Sequence, residues 1–100
     1  GGQTKCLHYL PQGLKIVKNN LLPAPPIFRM IQKAADTDWK EMYQVFNMGQ
    51  RLEIFTDPET AKALVALAGI FEIEAQISGY VEAAAQNNLV IESEFGTFQY

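Results

Sequence analysis

Residues 57–81 read DPETAKALVALAGIFEIEAQISGYV and predict a helix followed by a strand. Asp57 and Pro58 are typical of a helix start, because an aspartate side chain caps free N–H groups and proline suits the first helical position. We expect Gly69 to end the helix. From Phe71 to Val81 apolar and polar residues alternate, which predicts a strand with one buried and one solvated face. The buried face of the helix is then expected to hold Ala61, Leu64, Val65 and Ala68.

Further helices and strands are predicted on both sides of this unit. Asp38 and Glu41 have the spacing of a capping box, which predicts a helix that starts at Trp39. Pro26 suits the first turn of an earlier helix. The helical stretches are Lys5–Leu10, Pro26–Ala35, Trp39–Val45 and the helix after Asp57; the strands are Leu14–Lys18, Gln50–Thr56, Phe71–Val81 and Leu89–Phe95.

This order of elements predicts an α+β fold, in which a sheet of about four strands has helices packed on it. We expect the segment Gln86-Asn87-Asn88 to form a turn and Gly96–Tyr100 to lie on the sheet as a tail. No internal repeat or domain boundary is visible, so residues 1–100 are interpreted as a single domain. The apolar stripe of the helix that starts at Pro26 is expected to hold Ile27, Ile31, Ala34 and Ala35.

Composition narrows the class of protein. The chain has 100 residues, of which 48% are hydrophobic and 19% are charged, as is typical of one globular domain. No apolar run approaches the roughly 20 residues of a membrane helix, and no signal peptide is visible. Cys6 is the single cysteine, which fits a reducing compartment such as the cytoplasm. Because the chain opens with Gly1 rather than methionine, we expect it to be a piece of a longer protein.

Charge is divided unevenly along the chain. Residues 1–51 hold seven Lys/Arg and three Asp/Glu, a balance of +4, whereas residues 52–100 hold one Lys and eight Asp/Glu, a balance of −7. The sum is the net charge of −3. An acidic domain is a poor candidate for nucleic-acid binding, which depends on a basic face that neutralises phosphates. The basic half is still suited to one small phosphorylated ligand.

Two glycine-containing segments are candidate ligand sites. Gly1-Gly2 lies just before a helix, where backbone N–H groups can face an anion. The same pair can instead be a remnant of an expression tag. Phe46–Gly49 is a tight junction in which Asn47 and Gly49 tolerate left-handed backbone geometry. This junction is either plain turn chemistry or a place where the amide of Asn47 meets a ligand.

Other polar groups are weaker candidates. Cys6 and His8 are two residues apart on a helix and do not face the same way, and no second histidine or cysteine exists to complete a metal site. We therefore expect no metal site. The pairs Glu72/Glu74 and Glu92/Glu94 each line one strand face, which is interpreted as a solvated surface rather than as acid–base machinery. No catalytic residue is assigned.

Two blocks of sequence resemble one enzyme family. Residues 25–32 read PPIFRMIQ and residues 41–49 read EMYQVFNMG. Both blocks, in this order and spacing, are similar to the C-terminal half of phosphoribosylformylglycinamidine cyclo-ligase, also called aminoimidazole ribonucleotide synthetase. Gly1-Gly2 is similar to the end of the family's glycine turn. The resemblance covers about residues 1–82, and residues 83–100 match no motif of the family.

The resemblance implies a function for the longer protein. Members of the family use ATP to convert formylglycinamidine ribonucleotide to aminoimidazole ribonucleotide in cytoplasmic purine biosynthesis. It implies a C-terminal α+β domain, partly ferredoxin-like, whose glycine turn and FNxG junction face the substrate. An N-terminal domain, absent from this chain, would hold most of the ATP and Mg²⁺ contacts and the homodimer interface. This chain alone is then expected to be inactive, with no nucleic acid or membrane as a partner.

The resemblance also implies roles for specific residues of this sequence. The implied substrate-binding residues are Gly1, Gly2, Asn47 and Gly49. The family commonly has glycine where this chain has Arg51, which adds a cation near the ligand. Cys6 and Tyr9 replace the family's Asn and Arg after the glycines, and Lys5 can take over that charge. Lys5 and Arg51 are therefore candidate phosphate contacts.

Two alternatives stay open. The chain can be a domain of another ATP-using enzyme of the same superfamily, one that phosphorylates an amide, a thiamine phosphate or selenide; the PPIFR block argues against this. It can also be a non-enzymatic binding module that has kept the fold. The missing start methionine argues against the module.

Overall fold

The computed structural model describes all residues from Gly1 to Tyr100 and confirms the α+β class. None of its helices has the length and apolar character needed to cross a membrane. In chain order the elements are a 3₁₀ helix at Lys5–Tyr9, β1 at Leu14–Lys18, α1 at Pro26–Ala35, α2 at Trp39–Val45, α3 at Pro58–Ile70, β2 at Gly79–Ala83, β3 at Asn88–Ser93 and β4 at Gly96–Gln99.

The four strands form one mixed sheet in the order β2-β1-β3-β4. β1 pairs antiparallel with β2 and parallel with β3, so that Ile16 lies between Val81 and Leu89. β3 pairs antiparallel with β4, with Ile91 opposite Phe98. β1 is therefore an interior strand with both edges occupied.

One face of this sheet carries the hydrophobic core. α2 and the turn after it pack on that face, and the side chains of the buried apolar cluster come from the sheet and from this region. Around them lie half-buried side chains that include Phe28, Trp39, Phe46 and Phe95. The buried cluster consists of Ile16, Met42, Tyr43, Met48, Leu89 and Ile91.

The predicted helix starts are confirmed. Asp57 is the N-cap of α3, and its carboxylate accepts a hydrogen bond of 2.9 Å from the N–H of Thr60. Asp38 caps α2 in the same way, accepting from the N–H of Glu41 at 2.8 Å. Both caps satisfy a backbone donor that the helix itself leaves free. The hydrogen bonds from Thr60 lower the pKa of Asp57.

The predicted strand Gln50–Thr56 is wrong. These residues pair with no strand, and Leu52 is 80% exposed. The free outer edges of the sheet belong to β2 and β4, and the segment pairs with neither of them. It forms an irregular connection between the turn after α2 and α3.

The long strand predicted over Phe71–Val81 is also largely wrong. α3 continues through Gly69 to Ile70, and the chain turns at Glu72, which has a positive φ of 57°. The strand begins only at Gly79. Residues 71–77 are exposed on both sides, since Ile73 and Ile77 are exposed as well as Glu72 and Glu74. Gly69 does not end the helix, since it keeps helical geometry and the left-handed residue lies three positions later, at Glu72.

Two predicted helix faces need correction. In α1 the sheltered residues are Phe28 and Ile31, whereas Ile27 is 51% exposed and Ala34 and Ala35 are also exposed. The ring of Phe28 packs against that of Phe46, with ring centroids 6.0 Å apart, and this contact orients α1. In α3 the predicted residues do form the less exposed side, but none of them is buried. They are Ala61, Leu64, Val65 and Ala68.

The C-terminal end forms a hairpin rather than a strand and a tail. β3 starts at Asn88, which was predicted to lie in the turn, and ends at Ser93. Glu94 and Phe95 form the tight turn, and the predicted tail supplies β4 at the sheet edge. Phe95 leaves the strand because its ring stacks on Trp39, with ring centroids 3.7 Å apart. Glu92 and Glu94 thus do not share a strand face.

Candidate functional site

The N-terminal glycines lie against the end of α2. The N–H of Gln3 donates to the carbonyl of Tyr43 at 2.7 Å. A Cβ atom on Gly2 would lie 1.8 Å from the backbone oxygen of Gln44, so only glycine allows this close approach. The glycine pair is therefore held at the C-terminal end of α2, next to the turn that begins at Phe46.

Gln3 connects the glycine pair to that turn. Its side-chain nitrogen donates to the carbonyl of Asn47 at 2.8 Å. Its side-chain oxygen and its backbone carbonyl both accept from the ammonium of Lys18, at 2.7 and 2.9 Å. Gln3 is 5% exposed. The two segments predicted to bind substrate are thus neighbours, joined by one buried side chain.

Lys18, Gln3 and Asn47 form one hydrogen-bond network, in which Gln3 bonds to both of the others. Lys18 is 3% exposed, and its third N–H donates to the carboxylate of Glu53 at 2.8 Å. All three ammonium donors are therefore used, as a buried lysine requires. The other carboxylate oxygen of Glu53 is buried without a hydrogen-bond partner. This pair fastens the extended Gln50–Thr56 segment to the end of β1.

Cys6 borders the network but is not an activated nucleophile. Its Sγ donates to the carbonyl of Gln3 at 3.5 Å. Burial raises the pKa of the thiol; the charge of Lys18 opposes this rise and that of Glu53 adds to it. Because the thiolate is the reactive form, a raised pKa keeps Cys6 protonated and inert at neutral pH.

The junction Phe46–Gly49 is a strained turn. Met48 and Gly49 both have positive φ, at 55° and 93°. The side-chain oxygen of Asn47 accepts from the N–H of Gly49 at 2.8 Å, which closes the turn. A Cβ atom on Gly49 would lie 2.4 Å from Cδ of Pro25, so glycine is needed for space as well as for φ. The turn therefore fixes Asn47 in one position.

The amide nitrogen of Asn47 remains free. Its oxygen is used by the turn, whereas Nδ2 makes no hydrogen bond within the chain and is not buried. A rigidly held amide with two free donors is suited to a ligand oxygen. The part of Asn47 that is available for recognition is thus the NH₂ group alone.

The two predicted phosphate contacts are both free cations. The side chain of Lys5 lies beside Gly1, with Nζ 3.6 Å from the position of a Cβ atom on that glycine. Arg51 is exposed, and neither residue takes part in an ion pair of the chain. Arg51 follows Gln50, whose side chain is fixed by two hydrogen bonds to the backbone of Leu22, at 2.9 and 3.3 Å.

The sequence analysis missed Gln3, Lys18 and Glu53. For Lys18 a signal was present, because it lies two residues after Ile16 in a strand and so points to the same, core-facing side. A lysine on that side must be paired. Glu53 gave no such signal, since its partner is 35 residues away in the sequence.

A groove of about 360 Å³ lies away from these residues, between the segment after β1 and the end of β3. None of the predicted site residues lines it, and its charged residues are Glu92 and Glu94, which disfavour a phosphate. The chain also contains no group of three His, Cys, Asp or Glu side chains that could hold a metal ion.

No protein-family model matches the chain. Curated relatives do match, and they carry one name, phosphoribosylformylglycinamidine cyclo-ligase. The relative from Methanococcus vannielii is 30% identical over 95% of this chain, and that from Methanocaldococcus jannaschii is 31% identical over 88%. The relative from Lactococcus lactis is 44% identical over 48% of the chain.

These similarities confirm the resemblance carried by the PPIFR and FNMG blocks. The chain is related to the cyclo-ligases along most of its length. It spans only about a quarter of the relatives, 26% of the Methanococcus vannielii protein and 25% of the Methanocaldococcus jannaschii protein.

Proposed function

We propose that this chain is the C-terminal domain of a cytoplasmic, ATP-dependent cyclo-ligase that converts formylglycinamidine ribonucleotide to aminoimidazole ribonucleotide. Similarity over 95% of the chain to a protein of that name supports the family. In the proposal, the chain works with its own N-terminal domain in a homodimeric enzyme of purine biosynthesis. Alone, it folds but does not catalyse.

One observation carries the assignment of the substrate side. The side-chain N–H of Gln3 donates a hydrogen bond to the carbonyl of Asn47 and thereby holds the glycine pair against the FNMG turn. These are the two segments that the family resemblance places at the ligand. The NH₂ group of Asn47 would donate to a substrate oxygen, while Lys5 and Arg51 would lie near its phosphate. Gly2 and Gly49 allow the close packing against Gln44 and Pro25 that holds the two segments in place.

ATP supplies the activation of the amide oxygen in the proposed reaction. In the proposal, as the family resemblance implies, the N-terminal domain holds most of the ATP and Mg²⁺ contacts. The role of this chain is to orient the ribonucleotide and to donate hydrogen bonds to it.

The test is an assay of the longer protein that contains this chain. The proposal predicts ATP-dependent formation of aminoimidazole ribonucleotide from formylglycinamidine ribonucleotide. Thiamine monophosphate and selenide, offered in parallel with ATP, should give no phosphorylated product. Turnover of either of them, with none of the ribonucleotide, would assign the chain to a sister enzyme. Failure of every substrate in a folded, ATP-binding protein would favour a binding module.

A further inference from the structure

Three hydrogen bonds hold Asn47 by its two oxygen atoms. Its carbonyl accepts from the side-chain N–H of Gln3 at 2.8 Å and from the backbone N–H of Gln50 at 3.1 Å. Its side-chain oxygen accepts from the N–H of Gly49 at 2.8 Å. Gly49 and Gln50 are close neighbours of Asn47 in the chain, whereas Gln3 lies 44 positions away. Of the three bonds, that from Gln3 therefore ties Asn47 to a distant part of the fold.

The side-chain amide of Gln3 has one direction that satisfies both of its partners. An ammonium only donates hydrogen bonds, and a backbone carbonyl only accepts them. Lys18 therefore takes the amide oxygen of Gln3, at 2.7 Å, and the amide nitrogen is left for the carbonyl of Asn47. A rotated amide would turn its nitrogen to the ammonium and its oxygen to the carbonyl, and would lose both bonds. The lysine of β1 thus fixes the donor that faces Asn47.

Burial makes this series of hydrogen bonds rigid. Gln3 and Lys18 are 5% and 3% exposed, so water has little access to compete for their bonds. The ammonium of Lys18 is also bound to the backbone carbonyl of Gln3 and to the carboxylate of Glu53, at 2.9 and 2.8 Å. The N–H of Gln3 donates to the carbonyl of Tyr43 at 2.7 Å. Both the main chain and the side chain of Gln3 are therefore fixed.

The free NH₂ group of Asn47 lies at the end of this series. The bonds from Gly49 and Gln50 set the shape of the FNMG turn, and they move with the turn if it shifts. The bond from Gln3 connects the turn to Lys18 and so to the sheet. Its loss would leave the shape of the turn intact and allow the turn to shift as a unit. A displacement of about 1 Å is enough to impair a group that must meet a substrate atom.

We propose that Gln3 is a positioning residue of the candidate site. Its side-chain N–H places the amide of Asn47 that donates to the substrate, and Lys18 sets the direction of the Gln3 amide. This inference rests on the proposed function, because it takes the NH₂ group of Asn47 as the group that meets the ribonucleotide. Gln3 acts through Asn47, so its contribution to kcat/KM is expected to be no larger than that of the Asn47 donor.

A double-mutant cycle in the longer protein separates positioning from plain support of the fold. Gln3→Glu keeps an oxygen that accepts from Lys18 and loses the donor to Asn47. It should lower kcat/KM for the ribonucleotide by about twofold to tenfold, divided between kcat and KM as in Asn47→Asp. Added to Asn47→Asp, it should lower kcat/KM by less than about a further twofold, because the donor that it positions is already lost.

Gln76→Glu is the matched control. The side-chain N–H of Gln76 donates to the backbone carbonyl of Asn20 at 2.6 Å, so the change removes the same kind of bond elsewhere in the chain. It should leave kcat/KM unchanged. Circular dichroism gives the folded fraction of each variant, and the activities are compared per folded molecule. If Gln3→Glu does not fold, Gln3→Met takes its place in the same cycle.

The possible results distinguish this inference from the function on which it rests. Unchanged kcat/KM in Gln3→Glu, beside a loss in Asn47→Asp, would overturn the positioning role and leave the substrate role of Asn47 standing. So would effects that multiply in full in the double variant, an equal loss in Gln76→Glu, or failure of both Gln3 variants to fold. Unchanged kcat/KM in Asn47→Asp would overturn the substrate role of Asn47 and the positioning role with it.

Discussion

The ammonium of Lys18 lies 2.7 Å from the side-chain oxygen of Gln3 and is buried at 3% exposure. Through this contact, the central strand of the sheet holds the residue that joins the glycine pair to the FNMG turn. The same ammonium pairs with Glu53 at 2.8 Å. One lysine thus connects β1, the N-terminal segment and the connection that leads to α3.

Lys18→Met should destabilise the fold strongly. The change leaves the half-buried carboxylate of Glu53 without its partner and removes two charge-assisted hydrogen bonds to Gln3, so the loss should be about 2–4 kcal/mol. Urea unfolding followed by circular dichroism measures the free energy of unfolding. The double variant Lys18→Met/Glu53→Leu should recover part of the loss, because it removes the orphaned charge. An effect of Lys18→Met below about 1 kcal/mol would show that the pair is a surface contact.

Stability should fall in strongly alkaline solution because of Tyr100. Burial of its hydroxyl, followed by the nearby Tyr43 and Asp38, raises the pKa of Tyr100 from 10.0 to about 12. The unfolded chain therefore loses this proton first, and the contribution of Tyr100 to stability is complete below pH 10 and is lost as pH rises to about 12. Urea unfolding at a series of pH values should show a smaller loss in Tyr100→Phe. Identical slopes for both proteins would contradict the prediction.

Two glycine substitutions should act in opposite directions. Gly49→Ala places a Cβ 2.4 Å from Pro25 in a residue with φ of 93°, so it should cost more than about 1 kcal/mol of stability. Gly69→Ala meets nothing within 4 Å inside α3 and should raise stability by about 0.5–1 kcal/mol. Thermal melts of both variants make the comparison. A neutral Gly49→Ala would show that the turn relaxes without cost.

The helix starts were predictable because their causes are local. Asp57 and Asp38 each cap a helix through a hydrogen bond to an N–H three residues on, so sequence spacing alone identifies them. The strands were harder to predict, because alternation is a local signal whereas a strand also needs a partner that only the tertiary fold supplies. Gln50–Thr56 and most of Phe71–Val81 have suitable alternation, yet neither pairs with the free outer edges of β2 and β4.

The candidate site was predictable only in part. The motifs identified Asn47 and Gly49, and positive φ at the turn gives the physical reason for its glycine. Two details required the structure. The oxygen of Asn47 closes its own turn and is not available to a ligand. The buried network around Lys18 joins residues far apart in sequence, and no local pattern encodes its partners.

The NH₂ group of Asn47 provides the most direct test of the proposed substrate side. Asn47→Asp keeps the oxygen that accepts from Gly49 but loses the free donors, whereas Asn47→Ala loses both. The measurement is kcat/KM of the longer enzyme for the ribonucleotide, together with its melting temperature. We predict that Asn47→Asp lowers kcat/KM by about twofold to tenfold, as expected for the loss of one hydrogen bond, and leaves the melting temperature unchanged. Asn47→Ala should lower both. Unchanged kcat/KM in Asn47→Asp would contradict the account and would show that Asn47 serves only the turn.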